Sequence, residues 1–182
     1  MERLSRGFTI IELLLVLVIA GVLVAAAAPG LGRLLEAGRV ERVSRELLGA
    51  IHLARSEAIL RGATVSICPS NMWRTGLAAC GGNYAGGWIV FSNPDRDADV
   101  DSGTDEVLRT FAALPAGYRV LNRLGTRPVG GLIHYRADGS ARRNLTLQLC
   151  PPGGSRSSLS IVLNIVGRAR LERGWGQCAA LA

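Results

Sequence analysis

The sequence predicts an α+β protein in which a long N-terminal helix, apolar throughout its first half, leads into a domain built on an antiparallel β-sheet. Three observations predict it. The run from Phe8 to Ala28 is broken only by Thr9, Glu12 and Gly21; apolar residues recur at helical spacing from Val40 to Ala58; and eight short strand-like segments separated by turns follow Gly62. A chain of 182 residues holds one modest domain with its own core in addition to such an anchor.

The segment 1–7 carries Arg3 and Arg6 ahead of the apolar run. A bilayer core of about 30 Å needs roughly 20 apolar residues as helix, so 8–28 is long enough to span once. The positive charge before it places the N-terminus in the cytoplasm and the rest outside. A secretory signal is the rival reading, but its cleavage site follows the apolar region, whereas this run reaches Pro29 and continues into a predicted helix. Glu12 is the anomaly within the run, because an ionised carboxylate in hydrocarbon needs a partner or a task; reaching the headgroups is the plainer alternative.

After Pro29 the pattern turns amphipathic. Val40, Val43, Leu47, Ile51, Ala54 and Ala58 fall on one side, and Arg42, Arg45, Gly49 and Ser56 on the other. Glu41 with Arg45 and Glu57 with Arg61 add acid-before-base pairs one helical turn apart. Gly62 is expected to end the helix. One helix from Phe8 to about Arg61 would be roughly 80 Å long at 1.5 Å per residue.

The expected strands are Thr64 to Cys68, Trp88 to Phe91, Glu106 to Ala112, Tyr118 to Leu121, Leu132 to Tyr135, Leu145 to Leu149, Leu159 to Val166 and Arg168 to Arg173. Asp138-Gly139 marks a turn, and Cys80 to Gly87 and Pro151 to Ser158 read as loops. The organisation is therefore 1–7 leader, 8–28 transmembrane segment, 29–62 amphipathic helix and 63–182 β-rich domain outside the membrane. Cys68, Cys80, Cys150 and Cys178 all fall in that outer domain, where an even number favours two disulfides over a metal, and no Cys-x-x-Cys spacing argues for zinc. Of the three pairings open, Cys68 with Cys80 and Cys150 with Cys178 is the expected one, since each closes a local segment.

No nucleophile motif, phosphate loop or metal spacing is present, so the sequence points away from an enzyme, and no cofactor is expected. His52 and His134 lack a catalytic partner, and Trp73, Trp88 and Trp175 read as core or loop anchors rather than base-stacking groups. Asp95, Asp97, Asp99 and Asp101 alternate, with Glu106 where a calcium loop starting at Asp95 would put its last ligand, but Val100 stands where that loop needs glycine. A solvated loop is the expectation. All 21 cations are arginine and the net charge is +7, compatible with a nucleic-acid partner but also with coding bias.

Gly7-Phe8-Thr9-Ile10-Ile11-Glu12-Leu13 resembles the type IV prepilin signature. That resemblance implies a prepilin peptidase cutting between Gly7 and Phe8, methylation of Phe8, and a Glu12 that pairs with the N-terminal amine of a neighbouring pilin subunit. It also implies an inner-membrane anchor with a periplasmic domain that reaches the pilus or cell surface on assembly. Ala54-Arg55-Ser56-Glu57-Ala58, Gly87-Trp88-Ile89-Val90-Phe91 with its acidic loop, and Gly167-Arg168-Ala169-Arg170 are similar to the GspH/FimT group of minor pilins and pseudopilins. In that group the FimT branch serves type IV pili and natural transformation, and the GspH branch belongs to type II secretion. A Gly-Arg-x-Arg motif there contributes to DNA binding. In a strand, Arg168 and Arg170 point the same way and would grip consecutive phosphates of double-stranded DNA independently of sequence. Arg173 is expected to extend that patch, and Arg142 with Arg143 to join it if their strands are neighbours. The bland alternative is a charged edge strand that resists aggregation, and the rival function is a pseudopilin that binds only other subunits.

Overall fold

The computed structural model describes residues 9–101, 103–153 and 158–178, and divides into two units, one ending at Gly38 and one beginning at Arg39. Gly7 and Phe8 lie outside the described residues.

In the first unit the helix α1 (Ile10–Arg61) begins directly after Thr9. The Thr9 hydroxyl accepts the amide hydrogen of Glu12 at 3.3 Å, which satisfies one of the free donors of the first turn. Glu12 therefore stands three residues after the cap, in the first turn, where the helix dipole favours negative charge. The apolar side chains from Ile10 to Val24 are exposed, and the helix is long and apolar enough to cross a membrane.

In the second unit the amphipathic face behaves as its spacing predicts. Val40, Val43, Leu47, Ala50, Ile51, Ala54 and Ala58 are all buried, whereas Arg42, Arg45, Gly49 and Ser56 are exposed. Arg45 pairs with Glu41 at 2.6 Å and Arg61 with Glu57 at 2.8 Å. The helix ends at Arg61 because Gly62 takes the left-handed conformation (φ 64°) open to glycine without strain.

Eight strands follow: β1 (Val65–Pro69), β2 (Trp88–Ser92), β3 (Glu106–Phe111), β4 (Arg119–Leu121), β5 (Ile133–Tyr135), β6 (Leu145–Cys150), β7 (Leu159–Leu163) and β8 (Ala169–Arg173). All eight expected strands form, but not as one sheet. They divide into two antiparallel sheets, ordered β3-β2-β1-β5 and β4-β6-β7-β8. A four-residue helix, α2 (Met72–Thr75), and a single helical turn at Tyr84–Gly86 occupy the segment between β1 and β2.

One core joins the helix to both sheets, through Val65, Ile67, Trp88, Val90 and Tyr135 on the first sheet and Leu147, Leu149, Ile161 and Leu163 on the second. Alternation along β1 and β2 sends Cys68, Ile89 and Phe91 to the other face of the first sheet, where Met72, Val100 and Leu132 cover them. Val100 thus serves that smaller core, which accounts for valine at this point of the acidic segment. Cys68 bonds to Cys80 and Cys150 to Cys178. Trp88 is fully buried and stacks on Phe111, while Trp73 donates its indole hydrogen to Gly86 and Trp175 lies under the Arg123 guanidinium.

Candidate nucleic-acid interface

Gly167, Arg168 and Arg170 sit where β7 turns into β8. β7 ends at Leu163 rather than Val166, because residues 164–167 form the turn. The Gly167 amide donates to the Asn164 carbonyl (2.9 Å), the Asn164 amide to the Arg168 carbonyl (3.1 Å), and the Arg168 amide to Asn164 Oδ1 (2.8 Å). This closure requires φ of 84° at Gly167.

The turn is clamped from three directions. Arg55 on α1 donates to the Gly139 carbonyl (3.0 Å) and reaches the Val166 carbonyl (3.5 Å); Tyr135 donates its hydroxyl to the Gly167 carbonyl (3.2 Å); and Asn144 Oδ1 accepts from the Ile165 amide (2.8 Å). Burial pushes the Tyr135 phenol up to about 12, so this donor keeps its proton. These clamps were not legible as such in the sequence, because no spacing links Arg55, Tyr135 and Asn144 to the motif.

Arg168 and Arg170 are exposed and share strand parity. Among the described residues Arg168 forms no ion pair, whereas Arg170 holds Glu172 at 2.5 Å. Arg173 is exposed but takes the other strand parity and also reaches α1. Its parity is that of Ala169 and Leu171, which pack on the core, and its guanidinium lies 3.4 Å from Glu41. Arg142 and Arg143 do not lie on a strand beside β8, since β5 and β8 are in different sheets. Their segment instead abuts the β7–β8 turn, through the Ala141 amide and the Ile165 carbonyl at 3.0 Å. Both arginines face His134, whose imidazole is held below its ordinary pKa by burial and by those two charges.

The acidic segment brings Asp95, Asp97 and Asp105 within 4.8 Å of one another, while Glu106 turns away to Arg61 (2.5 Å). Burial raises the Asp105 carboxyl above its ordinary value, opposed by its backbone hydrogen bond with Asp101 and reinforced by the charges of Asp95, Asp97 and Asp101. A carboxyl raised in the folded state holds its proton more tightly there than when unfolded. Stability therefore falls as pH rises from the ordinary carboxyl value through the raised one. Asp105→Asn is expected to raise the melting temperature at neutral pH, with the gain shrinking toward pH about 4, as read by thermal denaturation.

With this geometry in place, the relatives can be compared. The type II transport protein GspH family model matches residues 43–167, more than half of the chain. The chain belongs to the GspH family. A prokaryotic N-terminal methylation motif also matches at residues 3–28, over the anchor. This GspH-family chain is 32% identical over 174 residues to the pilin-like protein PilA1 of Thermus thermophilus, covering 92% of this chain and 98% of that one. Its fold is similar to that of the type IV minor pilin FimU of Pseudomonas aeruginosa (TM-score 0.56, 17% identity, 78% of this chain and 96% of that one). It is also similar to that of the minor pseudopilin EpsH from the type 2 secretion system of Vibrio cholerae (TM-score 0.50, 15% identity, 74% and 97%). The GspH-family chain is thus a structural subunit of the pilin and pseudopilin class, with an N-terminal anchor helix and a globular domain, and not an enzyme. The match to the family ends at Gly167, so Arg168 and Arg170 lie just past it.

Proposed function

We propose that this chain is a FimT-like minor pilin, anchored in the inner membrane and carried to the pilus or cell surface with other pilin subunits, that binds double-stranded DNA for uptake in natural transformation. The observation that carries the reading is the pair Arg168 and Arg170, exposed with common parity beside a turn held by Arg55 and Tyr135. A fixed turn presents guanidiniums without the ordering cost of a loose loop. Contacts of this kind are to phosphate, so they are sequence-independent and weakened by salt. The full chain in non-ionic detergent is expected to bind duplex DNA at low salt, and Arg168→Ala with Arg170→Ala to lower the affinity at least about tenfold, since each arginine–phosphate contact is worth about 1 kcal/mol or more. Unchanged affinity would remove the motif from the reading.

The pseudopilin reading has its own support in the Arg170–Glu172 and Arg173–Glu41 pairs, which consume part of the local positive charge. A chain that shows no saturable DNA binding at low salt would favour it. Under either reading a prepilin peptidase cuts after Gly7, and the exposed Glu12 pairs with the amine of the neighbouring subunit. Mass spectrometry of the mature protein is expected to find N-methylated Phe8 as the first residue. Glu12→Ala is expected to insert in the membrane normally but to be lost from fibres, because the carboxylate that pairs with the neighbour is gone.

A further inference from the structure

A second basic feature stands apart from β8. β5 is the edge strand of its sheet; Ala141 and Arg142 return along it, through an antiparallel bridge to Tyr135 and an amide hydrogen bond to the His134 carbonyl, before the chain leaves to begin β6 in the other sheet. The crossing opens a cavity of 460 Å³ floored by Leu132, Ile133, Leu145 and Leu163 and rimmed by Arg142 and Arg143. A second cavity of 320 Å³ shares His134 and Arg142 with the first and is edged by Arg96 and Arg136.

We propose that these joined cavities are a binding site for a nucleotide-sized phosphate ligand, with the phosphate held by Arg142, Arg143, Arg96 and Arg136 and the base lying on the apolar floor. Neither cavity is lined by a carboxylate, and among the described residues none of the four arginines forms an ion pair. Asp138 offsets part of the Arg136 charge, and the remaining like charges in a concave surface focus a positive potential that an anion relieves. Arg96, the one non-glycine residue with positive φ (66°) among those described, lines the second cavity. Gly131 leaves room for the Arg143 guanidinium, which a Cβ there would approach to 2.8 Å. His134 hydrogen-bonds Ser66 through Nδ1 at 2.8 Å, which leaves Nε2 for the ligand. Inorganic phosphate would satisfy the rim but leave the floor empty; a cavity of this size with an apolar floor and few polar groups suits a small organic ligand.

The site does not depend on the DNA reading, since Gly167, Arg168 and Arg170 line neither cavity. The test is calorimetric titration of the full chain in detergent at low salt with a nucleoside monophosphate, inorganic phosphate and the unphosphorylated nucleoside. The monophosphate is expected to bind at least tenfold more tightly than inorganic phosphate, and the nucleoside not to saturate. Arg142→Ala with Arg143→Ala should weaken the monophosphate at least tenfold, while Arg168→Ala with Arg170→Ala leaves it unchanged. A single-stranded oligonucleotide with and without a 5′-phosphate distinguishes a strand end from a free nucleotide: preference for the phosphorylated strand, lost in the Arg142/Arg143 variant, assigns the strand end, and no preference assigns the free nucleotide. Equal affinity for monophosphate and inorganic phosphate, absence of saturation by both, or a loss confined to the Arg168/Arg170 variant would overturn the proposal.

Discussion

Gly167→Ala is expected to be strongly destabilising to the globular domain, costing about 3–5 kcal/mol and lowering the melting temperature by about 10 °C. Two effects combine there. The φ of 84° is unfavourable for any residue with a Cβ, and an added Cβ would overlap the Gly139 carbonyl oxygen and lie 3.1 Å from Tyr135 Cε1. Neither neighbour can retreat cheaply, because the Gly139 carbonyl accepts from Arg55 and Tyr135 is buried in the core. Gly174 supplies the control. It has a similar φ of 69° with nothing within 4 Å of its Cβ position, so Gly174→Ala should lose only about 1 kcal/mol. Thermal denaturation of the two variants side by side measures the difference, and equal losses would mean that the turn is not packed as described.

Removal of the Cys150–Cys178 disulfide is expected to cost about 3–4 kcal/mol, from the chain entropy released by opening a loop with a sequence separation of 28. The bond ties the segment after β8 to the end of β6. Outside it, that segment is held mainly by Arg123, whose carbonyl accepts from the Gln177 amide (2.9 Å) and whose guanidinium covers Trp175. Cys150→Ser with Cys178→Ser should therefore lower the melting temperature and expose the C-terminal segment to limited proteolysis before the core opens. Cleavage elsewhere first would contradict this placement.

The helix was legible because burial on α1 depends on local periodicity: every apolar position named from Val40 to Ala58 is in the core. Most strands were legible for the same reason, as short β-branched or apolar runs between turn residues, whereas β8 shows only alternation, with Ala169 and Leu171 between charged residues. Their partition was not, since β5 returning to β1 and β4 pairing with β6 are long-range choices that no spacing encodes. Arg173 was legible in principle. An odd offset from Arg168 and Arg170 puts it on the opposite face of β8, and counting charge rather than parity hid its pairing with Glu41. The close approach of Gly167 to the backbone of Gly139 was not legible either, because that partner is one that only the folded chain supplies. Arg96 at its cavity was illegible too, because three remote segments build that site.

The central claim, that Arg168 and Arg170 contact DNA phosphates, is tested most directly by the salt dependence of binding. Affinity of the full chain for a duplex is measured over a range of salt concentrations, for the natural sequence and for Arg168→Ala with Arg170→Ala. Each phosphate neutralised contributes about 0.9 to the slope of log affinity against log salt, so loss of both contacts should flatten it by about 2. A slope that does not change, with affinity intact, would contradict the account.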